Sequence, residues 1–268
     1  MQFTRVNGIN LAFYVSGPGA SPGAVPVLMI QGLGGRAADW GSVPARLAPH
    51  FEVITFDNRG TGNSDKPDTE YHLDAMADEA VAVLQAAGHH EAHIVGLSMG
   101  GMIAQLVALR HPQRVRKLVL LSTTPGGSRT VPPTAAAMAA LIPDMTQPPE
   151  QIVRSAMRAI TAPGFSEAHP EVLQEIVQTA MSAPTPQYVF ARQMAAIMAS
   201  DCYPHLPNIH APTLVIHGDA DQLVPYANGQ MLAARIPGAQ LMMLQGCGHL
   251  AMWEQPAELA RLLLTFLN

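Results

Sequence analysis

The chain has 268 residues, of which 48% are hydrophobic and 13% are charged, and its formal net charge is −5. This length suits one large domain or a core domain with an insertion, and the apolar content excludes intrinsic disorder. The acidic balance and the lack of a basic stripe exclude a nucleic-acid-binding surface. Two cysteines, Cys202 and Cys247, make neither a disulfide framework nor a zinc site, so we expect thiols in a reducing compartment.

The sequence contains no pattern typical of a signal peptide or a membrane span. Residues 1–7 lack the basic and apolar regions of a signal peptide, and no apolar run approaches the ~20 residues of a membrane span. We therefore expect a cytoplasmic protein that does not associate with a membrane. A leader removed before residue 1 stays open.

Strand-like and helix-like segments alternate along the chain, which predicts an α/β fold with a mostly parallel central sheet flanked by helices. The first two strands form a hairpin around Asn7-Gly8, and several later strands are continuous apolar runs, typical of strands buried on both faces. The predicted strands are residues 3–6, 10–16, 27–31, 53–56, 93–96, 118–121, 213–216 and 241–244, and the predicted core helices are residues 73–87, 99–110 and 258–267.

Residues 125–205 break this alternation. They contain 11 of the 23 prolines and six of the 15 methionines, with helix-like pieces at residues 135–141, 151–160, 171–181 and 188–198. We interpret them as a helical cap, or lid, inserted into an α/β core domain of residues 1–124 and 206–268. Methionine adapts its shape easily, so the lid methionines either line a pocket for apolar groups or only pack the lid onto the core. The candidates for pocket lining are Met138, Met145, Met157, Met194 and Met198.

The segment Gly96-Leu97-Ser98-Met99-Gly100 follows a strand-like run and opens a helical run. This is the context of the G-x-S-x-G nucleophile elbow, in which the serine lies on a sharp turn between strand and helix. Small residues two positions before and after the serine prevent clashes across such a turn. Ser98 is therefore the candidate nucleophile.

A serine hydroxyl needs a base, and the base needs an acid that orients it. Asp221 and His249 follow the last two predicted strands, and the order serine, aspartate, histidine is the one expected after a nucleophile elbow. Asp219 is a second candidate for the acid, but its place in the sequence also fits a turn-forming residue. We favour Asp221 as the acid. His217, at a strand end, is expected to pack near the acid. No metal site is predicted.

A tetrahedral intermediate also needs hydrogen-bond donors for its oxyanion. One is the N–H of Met99, the residue after the nucleophile. The other is expected from the glycine-rich loop of residues 31–35, which follows the first buried strand and lets backbone N–H groups approach a ligand closely.

Taken together, residues 31–35, 57–64, 96–101, 217–225 and 246–249 resemble the α/β-hydrolase family over essentially the whole chain. The resemblance is to its small carboxylesterases and 3-oxoadipate enol-lactonases. It implies an acyl-enzyme intermediate, no cofactor, and Leu33 as the second oxyanion donor. Many relatives have histidine where this chain has Gln31, so the Gln31 side chain is a candidate for anchoring the loop or contacting substrate. The polar segment 57–64 is expected to be a structural turn, with Arg59 paired to a carboxylate or a carbonyl.

These residues predict a serine hydrolase that cleaves carboxylic esters of small, mainly uncharged acyl groups. A lactonase of the enol-lactonase type uses the same catalytic groups and stays open, as does a cofactor-free haloperoxidase. A dinucleotide-binding loop at residues 32–37, with Asp57 about 20 residues further on, is a weaker alternative, and so is a receptor on a hydrolase scaffold. Neither accounts for Ser98, Asp221 and His249 together. The expected partner is a small ester or lactone, and a homo-oligomer stays open.

Overall fold

A computed structural model describes residues 1–17, 25–140, 142 and 146–268. Eight strands form one sheet in the order β1-β2-β4-β3-β5-β6-β7-β8. The strands are β1 (Gln2–Val6), β2 (Ile9–Ser16), β3 (Val27–Ile30), β4 (Val53–Phe56), β5 (Ala92–Leu97), β6 (Val115–Leu121), β7 (Thr213–Gly218) and β8 (Gln240–Leu244). The β1–β2 and β2–β4 pairs are antiparallel, and every pair from β4 to β8 is parallel. This confirms the predicted fold class.

Helices cover both faces of the sheet. The helices are α1 (Val43–Leu47), α2 (Leu73–Ala86), α3 (Met99–Arg110), α4 (Ala135–Ala140), α5 (Pro149–Ile160), α6 (Phe165–Ala168), α7 (Pro170–Ser182), α8 (Gln187–Ala199), α9 (Ala227–Arg235), α10 (Ala251–Glu254) and α11 (Pro256–Leu267). Among the described residues, no helix is long and apolar enough to cross a membrane. Five of the helices, α4 to α8, lie between β6 and β7 in the segment 125–205.

The central strands are buried on both faces, which explains their continuous apolar runs. In β3, Leu28 and Ile30 join a buried cluster with residues of α2 and α3, while Val27 and Met29 join a second cluster with residues of α1 and α11. Successive side chains of a strand point to opposite faces. A strand between two helical layers therefore needs an apolar residue at every position.

The first turn of α3 lies directly against the end of β3. A Cβ atom placed on Gly100 would lie 2.1 Å from the carbonyl oxygen of Ile30. A real side chain cannot occupy that position, so only glycine allows the helix to approach the strand so closely. This approach holds the residue before the helix, Ser98, beside the loop that follows β3.

Candidate active site

Ser98 forms the junction between β5 and α3, and its backbone is strained. Its φ is 55° and its ψ is −121°, a combination that side-chain-bearing residues rarely adopt. The turn is held from both sides: Ser98 N–H donates to the carbonyl of Leu121 at 3.0 Å, and the Thr123 hydroxyl donates to the carbonyl of Ser98 at 2.6 Å. The serine is thus fixed at the carboxyl edge of the sheet.

Asp221 and His249 lie at the same edge, in the loops after β7 and β8. The Nδ1 atom of His249 lies 2.8 Å from Oδ2 of Asp221, and the Asp221 side chain is fully buried. The other carboxylate oxygen, Oδ1, accepts the backbone N–H groups of Leu223 and Val224, each at 2.9 Å. The loop after β7 therefore closes on its own carboxylate, which leaves Oδ2 for the imidazole.

The pKa of Asp221 reflects this environment. Burial acts to raise the pKa, but the charge of His249 and the hydrogen bonds from His217 and His249 outweigh burial and lower it to about 2. Asp221 is therefore an anion throughout the neutral pH range.

The other acidic and imidazole groups of this region have different partners. Asp219 is exposed, and its Oδ1 accepts the N–H of Gly246 at 2.7 Å. His217 is fully buried, with Nε2 at 2.6 Å from the carbonyl oxygen of Val224 and 3.5 Å from Oδ2 of Asp221. His217 thus packs against the acid, as its position at a strand end predicts. The structure joins His249 to Asp221, whereas the Asp219 carboxylate bonds to the loop after β8.

Four groups at this edge carry no hydrogen bond within the described part of the chain: the Ser98 hydroxyl, Nε2 of His249, and the N–H groups of Leu33 and Met99. A Cβ atom placed on Gly32 would lie 3.6 Å from Oγ of Ser98, so the hydroxyl lies against the loop after β3. Catalytic hydrogen bonds are often long before substrate binds. The arrangement leaves a hydroxyl, an imidazole nitrogen and two backbone N–H donors without a hydrogen-bond partner among the described residues at one edge of the sheet.

Gln31 anchors the loop after β3 from inside. Its side chain is buried, and Oε1 accepts the N–H of Gly32 at 2.9 Å. Its own carbonyl accepts the Nδ2 amide of Asn58 at 2.8 Å. The sequence suggests that Gln31 either anchors the loop or contacts substrate, and these hydrogen bonds are those of an anchor. Nε2 has no partner among the described residues.

The segment 125–205 holds the same loop from outside. The Gln193 side chain of α8 is fully buried; its Oε1 accepts the N–H of Gly34 at 2.7 Å and its Nε2 donates to the carbonyl of Arg59 at 2.9 Å. Thr185 donates its hydroxyl to the carbonyl of Gly34 at 2.9 Å. The loop after β3 is thus held both by its own Gln31 side chain and by residues of the segment between β6 and β7.

The methionines proposed to line a pocket have unequal environments. Met138 and Met198 are 42% and 77% exposed. Met157 is half-buried and packs against the cluster that contains Ile160, while Met194 is half-buried on α8. Met145 lies outside the described residues. Met194 is the candidate nearest in sequence to Gln193, which contacts the loop after β3.

Residues 57–64 form a structural turn, as predicted. Arg59 donates from Nε to Oε1 of Glu79 at 3.0 Å, and both side chains are nearly inaccessible. Asp57 is buried, with Oδ1 accepting the N–H of Ala37 at 2.9 Å and Oδ2 accepting the N–H of Asn63 at 2.8 Å. Asp57 is engaged internally, which argues against the role of a ribose-binding acid in a dinucleotide site.

Two residues of this region were missed by the sequence analysis. Gln193 and Glu254 both hold backbone N–H groups of loops that carry site residues. Polar side chains inside helical apolar runs are their only sequence signal, and that signal names no partner.

An open cavity of about 660 Å³ lies at the opposite, amino edge of the sheet, lined in part by His50, His93 and Lys117, and is separate from this site. No group of three His, Cys, Asp or Glu residues in the described ranges could hold a metal ion.

Comparisons with known proteins point to one family. Residues 25–256 match the family model described as the alpha/beta hydrolase fold. The 2-hydroxymuconate semialdehyde hydrolase of Pseudomonas sp. (strain CF600) is 34% identical over 280 residues, covering 97% of this chain and 91% of that relative.

Two solved structures are also similar over their full lengths. Est816, described as an N-acyl homoserine lactone degrading enzyme, has a TM-score of 0.84 and 32% identity, and the match covers 99% of this chain and 100% of that one. The enol-lactonase from Burkholderia xenovorans LB400 has a TM-score of 0.86 and 26% identity, with 99% of each chain covered.

The low pKa of Asp221 predicts how its contribution to stability depends on pH. A carboxylate with a pKa of about 2 in the fold and about 3.9 when unfolded stabilises the fold above pH ~4 and loses that effect as pH falls toward 2. Between pH 5 and 3, wild type should lose about 1 kcal/mol more unfolding free energy than Asp221→Asn. Urea unfolding of both proteins at each pH measures this difference, and a constant difference would contradict the low pKa.

Proposed function

Because this chain belongs to the α/β-hydrolase family of hydrolytic enzymes, we propose that it is a serine hydrolase that cleaves carboxylic esters of small, mainly uncharged acyl groups. The observation that carries the proposal is the 2.8 Å hydrogen bond between His249 and Asp221. It lies at the sheet edge where Ser98 occupies a strained turn between strand and helix. A nucleophile, a base and an acid that orients the base are the three groups of a Ser-His-Asp triad for acyl transfer.

In the proposed mechanism, Oγ of Ser98 attacks the ester carbonyl as its proton passes to Nε2 of His249. The carboxylate of Asp221 orients the imidazole and stabilises the imidazolium. The N–H groups of Leu33 and Met99 bind the oxyanion of the tetrahedral intermediate. The imidazolium then protonates the leaving alcohol, and water, activated by the same imidazole, releases the acid from the acyl-enzyme.

The preference for uncharged acyl groups rests on the composition of the proposed lid, residues 125–205. This segment has only ten charged residues and six methionines. A charged acyl group that lost water beneath such a lid would find few partners, at a cost of several kcal/mol. The contacts of Gln193 and Thr185 with Gly34 support a lid that lies over the proposed oxyanion loop.

A lactonase is the second candidate, favoured by the two solved structures named for lactones. A lactone is an internal ester, so the same attack and proton transfers open it. Values of kcat/KM for linear esters of increasing acyl length and for several lactones distinguish an esterase from a lactonase. A strong preference for lactones would replace the esterase proposal with the lactonase.

Ser98→Ala removes the proposed nucleophile. We expect kcat to fall on the order of 10⁶-fold while the fold stays intact, because the base and the oxyanion donors cannot replace the covalent step. A fluorophosphonate probe should label wild type and leave the variant unlabelled. Retention of a tenth of wild-type ester hydrolysis by pure, folded variant would overturn the mechanism.

Asp221→Asn and Asp219→Asn form a matched pair for the acid. Asp221→Asn should lower kcat about 10⁴-fold, because the amide favours the wrong imidazole tautomer. Asp219→Asn should lower kcat far less, since Asp219 bonds to Gly246 and not to the imidazole. Steady-state kinetics on one chromogenic ester test this, and the reverse ranking would assign the acid to Asp219.

Met194→Ala tests whether the lid sets substrate choice. If Met194 lines the acyl pocket, its truncation should shift preference toward longer or aromatic acyl groups, measured as kcat/KM ratios across an ester series. Met198→Ala, at a side chain that is 77% exposed, is the control and should leave the ratios unchanged. A common factor for every ester in Met194→Ala would mean that Met194 only packs the lid.

A further inference from the structure

Glu254, at the end of the short helix α10, is an acid for which the proposed mechanism has no use. It is half-buried, five residues after His249. Its Oε2 accepts the N–H groups of Ala162 and Gly248, each at 2.8 Å, and its Oε1 accepts the N–H of Leu250 at 3.0 Å. One carboxylate therefore binds three backbone donors from two distant parts of the chain.

Two of these donors belong to the residues on either side of His249. With both neighbours held by Glu254, the peptide that carries the imidazole has little freedom to rotate. His249 itself donates its N–H to the carbonyl oxygen of Ile160 at 2.8 Å. The backbone around the imidazole is thus fixed at three consecutive residues, 248 to 250.

The third donor, Ala162, lies just beyond the end of α5 in the proposed lid. The lid backbone and the histidine loop are in direct contact here, because a Cβ atom placed on Gly248 would lie 2.4 Å from the nitrogen of Ala162. Glu254 and Ile160 bond across this contact from opposite sides. The position of the imidazole is therefore tied to the position of the lid.

Opposing effects act on the pKa of the Glu254 carboxyl group. Burial raises its pKa, while the three N–H donors and the charge of His249 act to lower it, and the net shift is upward. A carboxylate with a raised pKa is less favourable in the fold than in water. Its presence here is therefore not explained by a gain in stability from the charge.

We infer that Glu254 is a positioning residue for His249, which fixes the histidine loop to the lid backbone at residues 160–162. The inference rests on the proposed function, since it assigns His249 as the base. A displacement of the imidazole by about 1 Å can cost about 10²-fold in rate. Loss of the clamp should therefore lower the rate of proton transfer more than substrate binding.

Glu254→Gln is the test variant. The side chain keeps its shape, but one acceptor oxygen becomes an NH₂ group, which must face at least one of the three N–H donors. We expect kcat to fall about 10²-fold with KM changed less than threefold, and fluorophosphonate labelling of Ser98 to slow to a similar degree as kcat. Glu258→Gln is the control: this glutamate is 43% exposed on α11 and pairs with Arg261. It should match wild type in both measurements.

Folding is checked by near-UV circular dichroism, and Glu254→Asp serves if Glu254→Gln does not fold. That variant keeps both oxygens on a shorter side chain, and a folded Glu254→Asp with lowered kcat and unchanged KM supports positioning. A folded variant with wild-type kcat and labelling overturns the inference, as does a change confined to thermal stability. Failure of wild type itself to hydrolyse esters or lactones and to label would instead overturn the proposed function.

Discussion

A carboxylate that leaves water must be surrounded by donors, and this constraint organises the carboxyl edge of the sheet. Asp221 meets it with two N–H groups of its own loop and the imidazole of His249. Asp57 meets it with N–H groups from the loop after β3 and from the turn after β4. In each case a charge determines the conformation of the loops around it. The candidate site is built from loops, and buried carboxylates hold the loop after β7 and the turn after β4.

The parallel sheet determines where the residues of the candidate site lie relative to one another. Strands β5, β7 and β8 end at the same edge, and the loops after them carry Ser98, Asp221 and His249. The two strands that separate β5 from β8, β6 and β7, set the spacing between Ser98 and His249. Because β5 and β7 are buried on both faces, their carboxyl ends cannot shift without disturbing two hydrophobic clusters. Strain at Ser98 is sustained by this rigid surrounding.

Local patterns made much of this predictable. Continuous apolar runs identified the buried strands, and the spacing of glycines around Ser98 identified the turn between strand and helix. The polarity of Asp57 and Arg59 was correctly attributed to a structural turn. The strands, the Ser98 turn and the turn at residues 57–64 each depend on residues that are close together in the sequence, which is why the sequence alone predicts them.

Two side-chain contacts between distant segments could not be predicted. Gln193 lies 159 residues from Gly34, and Ala162 lies 92 residues from Glu254, so no local pattern connects them. The short helices α1 and α9, of five and nine residues, were missed because they offer few periodic positions. Tertiary packing determines both kinds of feature.

The close contact between Gly248 and Ala162 has an evolutionary consequence. A residue larger than glycine at position 248 would collide with the backbone at Thr161 and Ala162. Segments that connect the elements of a fold ordinarily vary among homologues and tolerate insertions and deletions. Here, a change in the course of the backbone between β6 and β7 would also change what Gly248 contacts, so these two segments cannot vary independently despite their separation along the chain.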